Sequence, residues 1–344
     1  MSSESLHPSR RAVLLGLASA GLAGLALPGM AFASDKKTGR KLPQPDPALW
    51  DPPLQPVKEG FADVPGGRIY YRVVGDGPGT PLITAHGGPA ATHRYMRPYA
   101  ALGTDRPVVL YDQLGCGKSD APADDTLYTT PRYAAELDAL RAHLGFDRFL
   151  LLGHSWGGWL GQYYAAKYAD RLSGLVLAGT SATIACMQSA ADSYLKALGP
   201  KAVATIREAE RTGKTDTPEY GAVAQKYYSR HLCRLDPWPD WFIEEGMRLS
   251  QNHVYLLMNG PNEFTFTGTL KNDDYTSLLK DIKAPTLVMC GQYDYGSPAC
   301  SKRLAAGIRG ARLRVFSGLS HMSHLEDPKR VTGAVRAFFA SIGK

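Results

Sequence analysis

From Phe61 onward, short unbroken apolar runs alternate with longer stretches in which apolar residues recur every three or four positions. Arg68 to Val74, Pro81 to Ala85 and Val108 to Tyr111 read as strands, the third running into the glycine-rich turn Asp112-Gln113-Leu114-Gly115-Cys116-Gly117. Tyr133 to Leu144 has helical spacing, and the run from Arg148 to Leu152 is of the kind that a strand buried on both faces requires. Trp156 to Tyr168 reads as a helix and Leu175 to Ala178 as the next strand. Strand, helix, strand alternation predicts an α/β architecture, a mostly parallel sheet covered by helices on both faces.

The alternation stops near Thr180. About a hundred residues follow with mostly helical patterning, including Tyr194 to Leu198, Lys201 to Arg211 and Tyr220 to Leu232. Strands resume at Thr286 to Cys290 and Leu313 to Phe316, and a helix around Lys329 to Phe339 closes the chain. Helices inserted between two sheet strands form a cap, so the expected partition is a core of residues 61–181 and 283–344 with a helical cap at 182–282.

The residues before Phe61 belong to neither. Ser9-Arg10-Arg11, an uncharged run from Ala12 to Leu27, and Ala31-Phe32-Ala33 resemble a twin-arginine export signal at residues 1–33, cleaved after Ala33. An uncleaved anchor is the weaker alternative: a span needs about 20 predominantly apolar residues, and this run is glycine-rich and broken by Pro28. The signal implies the twin-arginine translocation machinery as a transient partner and a periplasmic or secreted product. Residues 34–60 hold Pro43, Pro45, Pro47, Pro52, Pro53 and Pro56, which favours an extended surface arm.

Composition narrows the function classes. A chain of 344 residues, 44% hydrophobic, buries a full core. The formal charge of +7 is spread thinly among interleaved acids and bases, without the clustered basic face that a nucleic acid needs, so no nucleic-acid partner is expected. The five cysteines Cys116, Cys186, Cys233, Cys290 and Cys300 cannot all pair within one chain, and their spacing fits neither a zinc site nor a disulfide scaffold. Buried thiols are expected, with one bridge left open in an oxidising compartment. No metal or cofactor is expected.

The chemistry lies at the strand ends. Gly153-His154-Ser155-Trp156-Gly157 follows a buried strand and opens a helix, the setting of a nucleophile elbow. A serine hydroxyl needs a histidine base, and the histidine needs a carboxylate to fix its tautomer. In an α/β-hydrolase fold these partners follow the serine in the order acid, histidine, each after a late strand. Asp294, in Gly291-Gln292-Tyr293-Asp294, and His321, in Ser317-Gly318-Leu319-Ser320-His321, meet that order. His324 stands farther from the strand end and is expected to pack, while Asp273, Asp274 and Asp281 precede their strand and are expected to be solvated or capping. The oxyanion hole calls for two backbone N–H groups. Trp156 supplies one, and His86-Gly87-Gly88-Pro89 the other, from Gly88 with Gly87 as the alternative.

With these residues in view, the chain from about Phe61 to the C-terminus resembles the proline iminopeptidase family of α/β-hydrolases. The family's His-Gly-Gly-Pro-Gly corresponds to His86-Gly87-Gly88-Pro89-Ala90, and its Asp-Gln-Arg-Gly-x-Gly-x-Ser to Asp112-Gln113-Leu114-Gly115-Cys116-Gly117-Lys118-Ser119. Met258-Asn259-Gly260-Pro261-Asn262-Glu263-Phe264-Thr265 resembles the cap segment whose glutamate binds the substrate's free α-amino group, which implies that role for Glu263. Ala90 and Leu114 depart from the family pattern, and Tyr295 stands where related enzymes can carry a second carboxylate. The resemblance implies an aminopeptidase or amino-acid amidase acting on small peptides or amides through an acyl-enzyme. The competing expectations are an esterase or amidase with no need for a free amine, and a non-catalytic binding protein on the same scaffold. An epoxide hydrolase or dehalogenase would carry aspartate in place of Ser155.

Overall fold

Eight strands form one sheet in the order β1-β2-β4-β3-β5-β6-β7-β8 in a computed structural model that describes residues 41–344. The export-signal reading falls on residues outside that range. β1 (Pro56–Val64) and β2 (Gly67–Val74) make an antiparallel hairpin, and β2 also runs antiparallel to β4 (Val108–Tyr111). The rest is parallel: β4 with β3 (Leu82–Ala85), β3 with β5 (Phe149–His154), β5 with β6 (Leu172–Ala178), β6 with β7 (Thr286–Gly291) and β7 with β8 (Arg312–Phe316).

Burial follows position in the sheet. Every residue of β3, β4, β5, β6 and β7 is buried, as strands covered on both faces must be. The outer strands expose charged side chains, Lys58 and Glu59 on β1 and Arg312 and Arg314 on β8, which discourage edge-to-edge pairing. β1 starts at Pro56, inside the stretch read from sequence as an arm, so the last residues of that stretch are sheet.

Among the helices that flank the sheet are α1 (Thr130–His143), with Pro131 in its first turn, and α2 (Trp156–Lys167). Between β6 and β7 the chain forms α3 (Ile184–Ala197), α4 (Pro200–Thr212), α5 (Pro218–His231), α6 (Asp240–Ser250) and the short α7 (His253–Met258). Their starts are set locally. Thr183, Thr217 and Asn252 each accept a backbone N–H of the first turn, from Cys186, Tyr220 and Val254 respectively. After β7 come α8 (Pro298–Gly307), α9 (Ser323–Glu326) and α10 (Pro328–Ser341). The described residues, 41–344, lie within one compact unit that includes the inserted helices.

Two features of this arrangement position the site. The chain leaves β3 for β4 on one side and returns as β5 on the other, so β3 and β5 flank a topological switch point where loops from their C-terminal ends meet. A disulfide joins Cys186 of α3 to Cys300 of α8 across 114 residues, tying the inserted helices to the core. This corrects the expectation of thiols for two of the five cysteines. Cys116, Cys233 and Cys290 are buried and free.

Candidate active site

Ser155 sits between β5 and α2 at φ 57°, ψ −121°, a strained conformation for any residue with a Cβ. Its glycine neighbours are required sterically. A Cβ on Gly153 would lie 2.0 Å from the carbonyl oxygen of Gly157, and one on Gly157 would lie 2.1 Å from that of Ala85. The Ser155 N–H donates to the carbonyl of Ala178 at 2.9 Å, which pins the turn to the end of β6. Ser155 is 6% exposed, so its hydroxyl faces a narrow opening rather than bulk water.

Asp294, after β7, and His321, after β8, are both buried, and His321 Nδ1 lies 2.9 Å from Asp294 Oδ1. The same carboxylate oxygen accepts the N–H of Gly296 at 2.9 Å. A carboxylate acceptor on Nδ1 leaves Nε2 as the nitrogen free to act as base. The hydroxyl of Ser155 has one hydrogen-bond neighbour among the described residues, Tyr295 Oη at 3.4 Å, and no hydrogen bond to His321. His324 Nε2 donates instead to the carbonyl of Tyr95 at 3.1 Å, and its ring stacks on Tyr99. Asp274 accepts the N–H of Thr276, a local bond across a turn.

The loop after β3 closes over the elbow. A Cβ on Gly87 would lie 2.8 Å from Ser155 Cβ, so only glycine permits this approach. The Gly87 N–H is already committed to Tyr95 Oη at 2.5 Å, whereas the N–H groups of Gly88 and of Trp156 have no protein acceptor among the described residues. The Gly88 N–H, unlike that of Gly87, is thus left available to another acceptor. Gly88 has φ +107°, and the next residue but one, Ala90, has φ 68°. The glycine of the family pattern at that position is thus a response to backbone conformation, which this chain meets with alanine.

Glu263 lies on the loop after α7, half-buried, with both carboxylate oxygens engaged. Oε1 accepts Tyr255 Oη and Oε2 accepts Tyr295 Oη, each at 2.8 Å. Burial raises its pKa, and the two tyrosine hydrogen bonds and His321 oppose that rise. Tyr295 also packs its ring on His321, with centroids 4.1 Å apart. Its hydroxyl therefore stands between the nucleophile candidate and the Glu263 carboxylate. Sequence reasoning marked Tyr295 only as a missing acid; its placement beside the candidate acid Asp294 was the available signal.

His86, Asp112 and Cys116 have the spacing of a metal site, with ligand atoms within 4.8 Å of one another. Their atoms are otherwise employed: His86 Nε2 accepts the N–H of Gln113, and Asp112 accepts the N–H groups of His93 and Lys118. The cluster supports the loops under the site.

Residues 80–328 match the α/β hydrolase fold family model. A proline iminopeptidase of Heyndrickxia coagulans is 34% identical over 285 residues, which span 83% of this chain and 99% of that protein. A proline iminopeptidase of Saccharolobus solfataricus is 35% identical over 289 residues, 83% of this chain and 93% of its own length. The crystal structure of a proline iminopeptidase from Mycobacterium smegmatis superposes with a TM-score of 0.76 at 32% identity, covering 83% of this chain and 98% of that one.

Proposed function

We infer the activity of a chain that belongs to the α/β-hydrolase fold family and, within it, to the proline iminopeptidases: it is a serine aminopeptidase that releases N-terminal proline, or other small apolar residues, from peptides or amino-acid amides. Ser155 Oγ attacks the scissile carbonyl while His321 Nε2 takes its proton, and Asp294 holds Nδ1–H and stabilises the imidazolium. The N–H groups of Gly88 and Trp156 receive the charge that develops on the carbonyl oxygen. The imidazolium then protonates the departing amine, and a water activated by His321 hydrolyses the acyl-enzyme.

The observation that carries the exopeptidase assignment is the position of Glu263, whose carboxylate is one tyrosine hydroxyl away from Ser155 Oγ. An α-ammonium held there keeps the substrate's first carbonyl beside the nucleophile. A charge-assisted hydrogen bond of this kind contributes roughly 1.5–3 kcal/mol, or about 10- to 150-fold in kcat/KM. Residues 182–282 act in this reading as the cap that carries the amine-binding group. Prolyl- and alanyl-p-nitroanilide should be cleaved at least about 10-fold faster than their N-acetyl forms, and Glu263→Gln should remove most of that ratio. Equal cleavage of free and blocked substrates would leave an esterase or general amidase as the function.

The protein is proposed to work in the periplasm or outside the cell, after export through the twin-arginine route. Arg10-Arg11 and Ala31-Phe32-Ala33 support this, as does the Cys186–Cys300 bridge, because disulfides persist in oxidising compartments. Replacing both arginines by lysine should trap an uncleaved precursor in the cytoplasm, and mature periplasmic protein from that variant would exclude the route.

A further inference from the structure

His154 and Tyr95 make a buried chain of hydrogen bonds that the mechanism above does not use. The Gly87 N–H lies 2.5 Å from Tyr95 Oη, Tyr95 Oη lies 3.0 Å from His154 Nδ1, and His154 Nε2 lies 3.1 Å from the carbonyl oxygen of His321. All four residues are buried. The two ends fix the direction of every proton between them. A carbonyl can only accept, so His154 Nε2 carries the hydrogen. In a neutral ring Nδ1 must then accept, so Tyr95 donates its hydroxyl proton to it. Tyr95 Oη keeps a lone pair for the Gly87 N–H, which can only donate. Burial, with His321 and His324 close by, drives the His154 pKa well down and keeps the ring neutral, and burial likewise keeps Tyr95 protonated.

The ends of this chain are the two loops that must keep register around Ser155. One is the loop after β3 that presents Gly88, and the other is the loop after β8 that carries His321. Tyr95 is held from its own backbone as well, since its carbonyl accepts His324 Nε2. His154 is itself the residue before Ser155, so the chain passes directly beneath the nucleophile.

We propose that Tyr95 and His154 are positioning residues, whose hydrogen-bond chain from Gly87 to His321 sets the distance between the oxyanion loop and the base loop and turns the Gly88 N–H toward the reacting carbonyl. The proposal rests on the reading of Ser155 and His321 as nucleophile and base. It differs from a packing role in what it affects: the register of the loops matters when the tetrahedral intermediate forms, and substrate binding through Glu263 does not depend on it.

The test compares Tyr95→Phe, His154→Gln and His154→Leu with wild type on prolyl-p-nitroanilide, and measures affinity for a boronic acid that forms a tetrahedral adduct with the serine. Tyr95→Phe keeps the ring and removes only the hydroxyl. It should lower kcat by about 10- to 100-fold, less than outright loss of an oxyanion donor, with KM changed by less than about two-fold and boronate affinity falling in step with kcat. Glutamine offers a donor and an acceptor as histidine does, so His154→Gln should keep most of kcat while His154→Leu should match Tyr95→Phe. If Tyr95→Phe kept kcat and boronate affinity within about two-fold, or if the glutamine and leucine variants were equally impaired, the hydrogen-bond chain would have no positioning role. Should Tyr95→Phe fold poorly, the two His154 variants decide the matter. Ser155→Ala serves as the separate control: activity in that variant would overturn the nucleophile assignment, whereas an inactive Ser155→Ala beside a fully active Tyr95→Phe would overturn only this proposal.

Discussion

Ser155 and Glu263 face each other across one tyrosine hydroxyl, but the backbone that presents each is held in a different way. At the elbow, strand β5 leads in and α2 leads out, Gly153 and Gly157 allow close backbone contacts, and Ser155 sits at positive φ with its N–H tied to Ala178 at the end of β6. The Glu263 loop is braced within itself, where Asn262 Oδ1 accepts the Phe264 N–H and Asn259 Nδ2 donates to the Asn262 carbonyl, and from outside by three helices. Gln188 of α3 bonds the backbone of Phe264 and Phe266, Glu210 of α4 accepts from Asn262 and Thr265, and Tyr220 and Tyr228 of α5 reach Asn262 and Glu263. In the proposed roles, reaction chemistry stands on geometry that the sheet and its strand ends dictate, and substrate choice stands on a loop held by helices brought together from across the insertion. Substitutions on the first side should abolish the reaction, and those on the second should retune it.

The largest effects are expected at the sheet-borne side. Ser155→Ala and His321→Ala should each lower kcat by at least about 10⁴-fold, because nucleophile and base act as one unit. Asp294→Asn should be similarly severe, since an amide at this position favours the wrong histidine tautomer. Steady-state kinetics on one free-amine anilide decide it. More than a tenth of wild-type activity in Ser155→Ala, or a dead His324→Ala beside an active His321→Ala, would break the comparison at its foundation.

The next effect concerns the tie between the two sides. The Cys186–Cys300 bridge closes a loop of 114 residues, and removing a native disulfide typically costs about 2–5 kcal/mol. The double variant Cys186→Ser/Cys300→Ser should unfold at a correspondingly lower denaturant concentration, and reductant should destabilise the wild type but not the variant. An unchanged unfolding midpoint would mean that the inserted helices hold to the core without it.

How far each side could be read from residues alone follows the same division. The central strands were legible because burial on both faces makes them unbroken apolar runs, and the Asp294–His321 pairing because both residues stand after late strands. β6 begins at Leu172, three residues before the apolar run suggested, because Ser173 and Gly174 break the pattern while lying buried in the sheet. β1 was hidden for the opposite reason: it is an edge strand whose exposed Lys58 and Glu59 and leading Pro56 read as an arm. Tyr295 was marked only as a missing acid, because it lies 32 residues from Glu263 along the chain and its bond to that carboxylate arises from tertiary packing. The bridge escaped because spacing along the chain says nothing about two helices that meet across 114 residues.

A pH dependence should separate the two sides without a change in stability. In its proposed role Glu263 can hold an ammonium only when ionised, and burial raises its pKa above the ordinary glutamate range. As pH falls through that raised pKa the carboxylate takes up a proton, so the ratio of kcat/KM for free over N-acetylated alanyl-p-nitroanilide should fall on the acid side, earlier than an exposed glutamate would allow. It should fall again on the alkaline side as the substrate's own amine, with a pKa of about 8, loses its charge. Glu263→Gln should flatten the acid limb of the ratio. A ratio that stayed constant in wild type across the acid limb would remove the carboxylate from substrate choice.

The smallest effect is expected where the sheet-borne side departs from its relatives. Ala90 has φ 68°, a region that costs an alanine roughly 1–2 kcal/mol, so Ala90→Gly relieves strain in the loop that presents Gly88. Two terms oppose the gain. Glycine has more freedom to lose on folding, about 0.4–1 kcal/mol, and the buried Ala90 methyl contributes about 0.8 kcal/mol through its contacts in the core. The three nearly cancel, and the variant should match wild type in unfolding midpoint to within about 0.5 kcal/mol, with kcat unchanged. Gly88, two residues earlier, is the contrast: at φ +107° its Cβ would lie 2.7 Å from the nitrogen of Ala91, and no relaxation of a flexible side chain can relieve a clash with backbone. Gly88→Ala should therefore lower both stability and kcat while Ala90→Gly does neither. A shift of more than about 1 kcal/mol in Ala90→Gly would show that the loop's strain is shared with the elbow rather than confined to one residue.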